Sequence, residues 1–222
     1  MNEILKENLK KEIEYVLPGD IEKRSFEIIE EELGEKINSF TEAEKPVVKR
    51  IIHTTADFEY ADLLDIENDA INSGMEALKS GCKIYCDTNM IVNGLSRGIL
   101  EKFSVKAYSL VSDEETIKEA KERGFTRSIV GMEKALKDKD TKIFLIGNAP
   151  TAVYTLLEDM KENMPKLIVG VPVGFVGASE SKEELSKYDV PYIRIRGRKG
   201  GSTVAVSILH GILYQMYQRE GM

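Results

Sequence analysis

A glycine-rich basic segment, Gly197-Arg198-Lys199-Gly200-Gly201-Ser202-Thr203, has the composition of an anion-binding loop. It follows the alternating run Tyr192–Arg196, which predicts a strand, and it precedes a helical pattern from Val204 to Tyr217. Glycines let backbone N–H groups approach a ligand closely, and the N–H groups and dipole at a helix start favour negative charge. The segment therefore predicts a binding site for an anionic ligand.

The same region carries four cationic side chains within six residues, on a chain whose formal net charge is -7. They are Arg194, Arg196, Arg198 and Lys199. A single positive spot on an acidic body favours a small anionic ligand over a nucleic acid, which usually requires a basic domain. The segment matches neither the Walker phosphate loop nor the dinucleotide fingerprint. A turn with solvated basic residues is the alternative interpretation.

His53 is the main candidate for proton transfer. It stands near the predicted end of a helix, with Arg50 one turn earlier on the same face. Histidine exchanges protons near neutral pH, and a positioned one contributes about 10²–10⁴-fold to a rate. A histidine that only complements the helix dipole is an equally open interpretation. The other histidine, His210, lies on the apolar face of the last helix and is predicted to be a core or interface residue.

Other reactive groups give weaker signals. Ser202 lacks a nucleophile-elbow motif and is expected to be a helix N-cap or a ligand hydrogen-bond partner. Cys82 and Cys86 do not have zinc-site spacing and are expected to stay reduced in the cytoplasm, so no metal site is predicted. An acidic group, expected to be a solvated face, comprises Asp57, Glu59, Asp62 and Asp65. Methionines expected to pack in the interior are Met75, Met90, Met132 and Met160.

The periodicity predicts helices first and a parallel sheet afterwards. The helices are expected over about 21–33, after a turn at Pro18-Gly19-Asp20, from a Thr41/Glu44 capping box through Ile52, and over about 68–79. Short apolar strands then alternate with helices, and they are expected at 84–86, 105–111, 142–146, 167–171 and 192–196. This pattern predicts an α/β fold in which helices flank a mainly parallel sheet. We expect a single domain over 1–222, with about 1–10 as a charged extension.

Composition excludes several classes of protein. Hydrophobic residues make up 42% and charged residues 31% of the 222-residue chain, as in an ordinary globular protein. The charged run Met1–Lys11 does not have the pattern of a secretory signal. The longest nearly apolar run, Leu167–Ala178, is shorter than the roughly 20 residues of a membrane span. We therefore expect a cytoplasmic protein that binds neither membrane nor nucleic acid.

Four loops follow predicted strands and are rich in glycine or small polar residues. They are Cys86–Met90, Gly147–Thr151, Val171–Ser181 and Gly197–Thr203. In parallel sheets ligands bind beyond the carboxyl ends of the strands, where such loops gather. The loops predict a site with many hydrogen-bond donors and few strong acids or bases.

Five motifs, found in order along the chain, resemble one enzyme family. They are Arg50–His53, Cys86–Met90, Gly147–Ala152, Gly170–Lys182 and Gly197–Ser202. Together they are similar to precorrin-8X methylmutase and its cobalt-precorrin-8 counterpart, which act in corrin-ring assembly. The resemblance covers nearly the whole chain from Ser25 onward.

The resemblance implies an isomerase that moves a methyl group from C11 to C12 of a tetrapyrrole that carries acetate and propionate groups. It implies that His53 donates and accepts the proton, and that Arg50 and Ser25 contact the substrate. Thr126-Arg127-Ser128 matches a family segment that lines the site. Further residues expected to bind the substrate are Thr88, Asn89, Asn148, Arg127, Gly174, Arg198, Gly200, Gly201 and Ser202. The family consists of homodimers without a redox cofactor or external methyl donor, and the substrate itself can carry cobalt.

Two alternatives remain open at this level. A tetrapyrrole carrier would use the same loops without a titratable group. A phosphate-ligand enzyme, such as a sugar-phosphate isomerase, would use Gly197–Thr203 for phosphate. An inert His53 would favour the carrier, and competition by inorganic phosphate would favour the phosphate enzyme.

Overall fold

A computed structural model of the protein describes residues 18–217, which form one six-stranded sheet with helices on both faces. The strands are β1 (Leu64–Glu67), β2 (Lys83–Cys86), β3 (Lys106–Tyr108), β4 (Thr141–Ile146), β5 (Leu167–Gly170) and β6 (Tyr192–Ile195). Their order across the sheet is β1-β6-β5-β4-β2-β3. All neighbouring pairs are parallel except β1 and β6, which are antiparallel. The predicted α/β class with a mainly parallel sheet is confirmed.

Helices precede the sheet and connect its strands. They are α1 (Pro18–Leu33), α2 (Lys45–Thr55), α3 (Tyr60–Leu63), α4 (Ala70–Lys79), α5 (Asn89–Gly94), α6 (Arg97–Lys102), α7 (Glu114–Arg123), α8 (Arg127–Lys137), α9 (Pro150–Asp159), α10 (Ala178–Leu185) and α11 (Ser202–Met216). Short 3-10 turns span Gly34–Ser39 and Met160–Glu162. Each parallel crossover from one strand to the next therefore contains at least one helix.

The sheet has a separate apolar core on each face. Along β4, Ile143 and Leu145 pack into one core, whereas Phe144 and Ile146 pack into the other. Helices α2, α4 and α11 contribute to the first core, and α8, α9 and α10 contribute to the second. Because side chains alternate between the faces of a strand, burial on both faces requires the uninterrupted apolar runs that the sequence shows.

The last helix is placed by its contact with α2. Gly211 lies so close to α2 that a Cβ there would be 2.7 Å from the Cα of Val47. The two helix backbones therefore approach closely on the first face of the sheet. This packing sets the carboxyl end of α2, which carries His53, beside the amino-terminal half of α11.

The N-terminal part differs from expectation in two places. Pro18-Gly19-Asp20 forms the first turn of α1 rather than a separate turn, as suits a proline at a helix start. Strand β1 was not predicted, because its acidic residues suggested a solvated segment. Asp65 of β1 instead pairs with arginines of β6. The expected extension at about 1–10 lies outside the described residues, and the single-domain interpretation stays a prediction.

Local features at helix and strand ends follow the predictions only in part. The Glu44 carboxylate accepts the Thr41 N–H at 2.8 Å, which is one of the two hydrogen bonds of the expected capping box, but α2 begins at Lys45 with Glu44 as its N-cap. At α7, Asp113 is the N-cap and accepts the N–H of Thr116 at 2.9 Å. The strand expected over 105–111 is shorter, at Lys106–Tyr108. Within residues 18–217, no helix is both long and apolar enough to cross a bilayer.

Candidate active site

The loops after β2, β4, β5 and β6 meet at the carboxyl edge of the sheet, as predicted. The hydroxyl groups of Thr88 and Ser202 lie 3.0 Å apart and join the loop after β2 to the start of α11. Gly147, after β4, packs directly against that helix start, because a Cβ at this position would lie 2.8 Å from the Cα of Ser202. Three segments that are far apart in sequence thus form one continuous surface.

A buried carboxylate holds the loop after β4. Asp87, 1% exposed, accepts the backbone N–H of Gly147 at 3.0 Å, of Asn148 at 2.8 Å and of Ala149 at 2.8 Å. Burial raises the pKa of the Asp87 carboxyl, and the three donors act in the opposite direction. These N–H groups therefore bind an internal carboxylate. If Asn148 binds the substrate as expected, it does so through its side chain, which is exposed.

The glycines of the last two loops mainly allow close backbone packing. The Gly201 N–H donates to the Val171 carbonyl at 2.8 Å, and the Gly174 N–H donates to the Arg198 carbonyl at 3.2 Å. Gly200 has φ 148°, and a Cβ there would lie 2.2 Å from the Val171 oxygen. The N–H groups of Gly174 and Gly201 thus join the loops after β5 and β6. While the loops stay joined, these two N–H groups are not available to the substrate that Gly174 and Gly201 were predicted to bind.

The prediction of a concentrated positive spot is wrong, because acidic side chains pair with three of its four cations. Arg194 contacts Asp65 at 2.8 Å, and Arg196 contacts the same carboxylate. Lys199 pairs with Glu59 at 2.7 Å and with Asp57. The expectation of a solvated acidic face is wrong for Asp65, whose side chain is 14% exposed, whereas Glu59 and Asp62 are exposed. Arg198 has no acidic partner within residues 18–217 and remains the accessible cation of this segment.

A second buried charge supports the loop after β6. Lys182 of α10 is fully buried, and its ammonium donates to the Lys199 carbonyl at 2.8 Å. Burial, reinforced by the nearby Arg194 guanidinium, lowers the pKa of Lys182 to about 8. Sequence reasoning gave no role to Asp87 or Lys182, because neither a single acid nor a single lysine shows by its position in the sequence that it will be buried.

A groove of about 220 Å³ runs between α2, α5 and α11 beside these loops. It is lined by Arg50, Thr54, Met90, Gly94, Ser202, Thr203, Val206, Ser207 and His210. Met90 is 64% exposed there, so the expectation that it packs in the interior is wrong. Met132 and Met160 are buried as expected.

Arg50 stands at one wall of this groove and is held on three sides. Its guanidinium lies 2.8 Å from the Glu22 carboxylate and between two aromatic rings, 4.9 Å from the centroid of Phe26 and 4.6 Å from that of Tyr214. Its side chain is only 15% exposed. A substrate carboxylate could reach Arg50 only by replacing or joining Glu22.

His53 lies in the last turn of α2, is exposed, and is not one of the residues that line the groove. It shares a helical face with Arg50, and the next residue, Thr54, lines the groove. The imidazole packs at 5.3 Å from the Phe26 ring, between centroids, and the helix ends at Ala56 in a left-handed conformation. The predicted helix end at this histidine is confirmed, and the side chain is accessible to a ligand.

Three other predicted residues lie outside the set that lines the groove. Ser25 of α1 donates its hydroxyl hydrogen to the Ile21 carbonyl of its own helix at 2.8 Å. Asn89 donates to the Ser112 hydroxyl at 2.9 Å, and Arg127 donates to the Val111 carbonyl at 3.2 Å. Asn89 and Arg127 thus meet at the segment after β3, whereas Ser25 belongs to the side of Phe26 and His53.

The roles expected for His210 and Ser202 are partly changed. His210 accepts the Ser96 N–H at 3.1 Å through Nε2 and stacks on Tyr214 at 4.8 Å, so it is half-buried in the packing between helices. Ser202 is the first residue of α11 rather than its N-cap, which is Gly201. The Ser202 hydroxyl therefore serves the Thr88 contact and the groove.

The described residues hold no cluster of three or more His, Cys, Asp or Glu side chains that could bind a metal ion. Cys82 and Cys86 are buried free thiols, and burial raises the pKa of Cys82 to about 11. Neither thiol is therefore placed to act as a nucleophile.

Comparisons with known proteins agree on one family. Residues 20–215 match the family model described as precorrin-8X methylmutase. The chain is 47% identical to a cobalt-precorrin-8 methylmutase of Leptospira interrogans, over 89% of this chain and 93% of that protein. It is 45% identical to a protein of the same name from Priestia megaterium, over 89% and 88% of the two chains. The crystal structure of a precorrin-8X methyl mutase from Thermus thermophilus superposes with a TM-score of 0.81 at 38% identity, covering 87% of this chain and 94% of that one.

Proposed function

The chain belongs to the precorrin-8X methylmutase family, and we propose that it moves a methyl group from C11 to C12 of precorrin-8X or cobalt-precorrin-8. It is an isomerase of cobalamin biosynthesis. The product would be hydrogenobyrinate or cobyrinate, according to whether the ring carries cobalt. We assign the proton transfer to His53.

The observation that carries this assignment is the position of His53 in the site. Its imidazole is exposed in the last turn of α2, one turn after Arg50, which lines the groove together with Ser202. Of the two histidines in the chain, His53 is exposed, whereas His210 accepts a backbone N–H and stacks on Tyr214. We assign the proton transfer to His53 because its imidazole is exposed, whereas His210, which also lines the groove, is engaged in packing between helices.

The reaction we propose is balanced without an external reagent. The His53 imidazolium donates a proton to the conjugated ring, the methyl group leaves C11 and bonds to C12, and the neutral imidazole takes a proton back. Atoms and electrons are conserved, because the methyl shift is internal to the macrocycle. The protein contributes proton transfer, a fixed ring conformation and exclusion of water from the reacting face.

The carboxylates at the edge of the ring need cationic and polar partners, and the site provides a small number of such side chains. Arg198 is accessible, and Arg50 can be reached if Glu22 gives way. Thr88 contacts Ser202, which lines the groove, and we propose Asn89, Asn148 and Arg127 as further polar partners of the ring. Charge-assisted hydrogen bonds to these groups would supply orientation as well as affinity.

We further propose that the enzyme acts in the cytoplasm as a homodimer and needs no cofactor of its own. The family resemblance supports the dimer, and two buried free thiols suit a reducing compartment. The phosphate-ligand alternative loses its main support, because acidic side chains already pair with Arg194, Arg196 and Lys199.

The test follows the visible absorption spectrum during incubation with cobalt-precorrin-8 and, separately, with precorrin-8X. The cobalt form comes first, because the relatives at 47% and 45% identity carry that name. Migration changes the conjugated system, so turnover appears as a colour change. His53→Ala should lower kcat by about 10²-fold or more, whereas Lys137→Ala, which removes an exposed basic side chain from the last turn of α8, should retain conversion.

The outcomes separate the candidate functions. Conversion by the wild type that persists at the normal rate in His53→Ala would remove the proton-transfer assignment but leave the isomerase. Tight binding without conversion in the wild type would indicate a carrier. Absence of binding to either tetrapyrrole would contradict the proposed substrate.

A further inference from the structure

The loop between β5 and α10 carries two apolar side chains that are almost completely in solvent. Phe175 is 83% exposed and Val176 is 90% exposed. Contiguous exposed apolar surface on a protein is characteristic of an interaction site. Gly174 and Gly177 flank the pair, and both have positive φ, at 153° and 74°. We call Phe175 and Val176 the apolar tip.

The base of this loop is fixed to the candidate active site. The Gly174 N–H donates to the Arg198 carbonyl at 3.2 Å, and the Val173 N–H donates to the Gly147 carbonyl at 3.4 Å. On the far side, the Ser181 N–H donates to the Gly177 carbonyl at 3.0 Å in the first turn of α10. The apolar tip is therefore held at the carboxyl edge of the sheet, next to the loops after β4 and β6.

A cation accompanies the apolar tip. The Arg198 guanidinium carbon lies 5.3 Å from the centroid of the Phe175 ring, within cation–π distance. Arg198 is exposed and has no acidic partner within residues 18–217. One aromatic face, one branched aliphatic side chain and one accessible guanidinium thus project together from the edge where ligands of parallel sheets bind.

We propose that the apolar tip packs against one face of the tetrapyrrole while Arg198 binds a carboxylate at the ring edge. This inference rests on the proposed function, because it assigns the contacts of that substrate. A tetrapyrrole combines a broad apolar face with a rim of acetate and propionate groups, and the tip with Arg198 offers the complementary pair. The ring is a better occupant than a second copy, because the backbone of the tip is bonded to two loops of the site.

The tip can be tested by thiol labelling, because the two natural cysteines are buried. Val176→Cys introduces an accessible thiol in an otherwise shielded chain. Met164→Cys is the matched control, since Met164 is 49% exposed and precedes β5 at the opposite, amino edge of the sheet. Alkylation by iodoacetamide is followed by mass spectrometry with and without saturating cobyrinate, the stable product.

We expect cobyrinate to slow the alkylation of Val176→Cys by about tenfold or more and to leave Met164→Cys unchanged. Equal labelling of Val176→Cys with and without ligand would overturn the proposal. Slow labelling without ligand, at concentrations where the protein is dimeric, would assign the tip to a subunit interface and would also overturn it. Binding of cobyrinate is measured independently by equilibrium dialysis, so absence of binding identifies a failure of the proposed function instead.

A kinetic test uses Phe175→Ser with Met164→Ser as its control. Burial of a phenyl ring against the substrate predicts that Phe175→Ser raises KM by about tenfold or more, with kcat within about twofold of the wild type. Because Phe175 is in solvent, the variant should fold normally, as thermal unfolding would verify. An unchanged KM in Phe175→Ser would contradict the proposed contact.

Discussion

The carboxylate of Asp87 accepts the backbone N–H of Asn148 at 2.8 Å and so occupies the centre of a loop that the sequence predicts to bind ligand. The neighbouring N–H groups of Gly147 and Ala149 bind the same carboxylate. The buried carboxylate of Asp87 thus accepts the backbone N–H groups that could otherwise bind an anionic ligand. The loop after β4 is thereby fixed before substrate arrives, which lowers the entropic cost of binding.

We predict that Asp87→Asn lowers both stability and activity. The amide has nearly the same shape, but its NH₂ group must face one or two N–H donors. Hydrogen bonds to charged groups contribute about 1.5–3 kcal/mol each, so we expect the unfolding free energy to fall by about 2 kcal/mol. Urea denaturation measures the loss of stability, and the spectral assay measures the loss of kcat.

The matched control is Asp138→Asn at the amino edge of the sheet. Asp138 pairs with Lys83 at 2.9 Å and accepts the Asp140 N–H at 3.1 Å, far from the candidate active site. It should lower stability without lowering kcat of the folded enzyme. If both variants lost activity only in proportion to their folded fraction, Asp87 would be a structural residue without influence on the site.

The sequence predicted the sheet and the meeting of the four loops at its carboxyl edge, because both follow from local pattern. Apolar runs such as that of β4 and the glycine-rich segment at Gly197 are visible without a structure. Pairing across the fold is not visible in this way. Asp65 reads as a solvated acid until β1 lies beside β6 and brings it to Arg194 and Arg196. The available positive charge of the site was overestimated for this reason.

The ion pair between Glu22 and Arg50 leads to a prediction about affinity. Because Glu22 occupies the guanidinium that a substrate carboxylate would use, Glu22→Gln should lower KM by about threefold and leave kcat unchanged. Steady-state kinetics with the spectral assay measures the change. Glu27→Gln, which removes one exposed partner of Arg24 on the same helix, should leave KM unchanged. A higher KM in Glu22→Gln would mean that Glu22 prepares Arg50 for binding rather than competing with the substrate.

The buried Lys182 predicts a pH dependence of stability. The pKa of Lys182 is about 8 in the folded protein, below its ordinary value of 10.5. Between these values the unfolded chain binds more protons than the folded one, so the contribution of Lys182 to the unfolding free energy rises with pH. Below about pH 8 the buried ammonium carries its full desolvation cost, which the Lys199 carbonyl offsets only in part.

Lys182→Met isolates this contribution, because other groups oppose it. Burial raises the pKa of Cys86 and Tyr85, so these groups lower stability as the pH rises. The difference in unfolding free energy, wild type minus Lys182→Met, should increase by about 2 kcal/mol from about pH 7 to about pH 9.5. Urea denaturation at several pH values measures it. A difference that stays flat over this range would show that Lys182 keeps an ordinary pKa.

Substitution of Gly147 tests whether the close packing between the loop after β4 and the start of α11 determines activity. In Gly147→Ala the added Cβ would lie 2.8 Å from both the backbone N and the Cα of Ser202, so either the loop or the start of α11 must shift. Overpacking of this kind costs about 1–3 kcal/mol. The shift would also separate the Ser202 hydroxyl from that of Thr88, now 3.0 Å away.

We expect Gly147→Ala to lower kcat/KM by about tenfold or more in protein that is still folded, as measured by the spectral assay alongside circular dichroism. Gly98→Ala on α6 is the control, because nothing lies within 4 Å of an added Cβ there and alanine favours a helix by about 1 kcal/mol. This variant should be as active as the wild type and slightly more stable. If Gly147→Ala also retained full activity, the position of α11 relative to the loop after β4 would not limit the reaction, and the site would depend on α2 and its histidine alone.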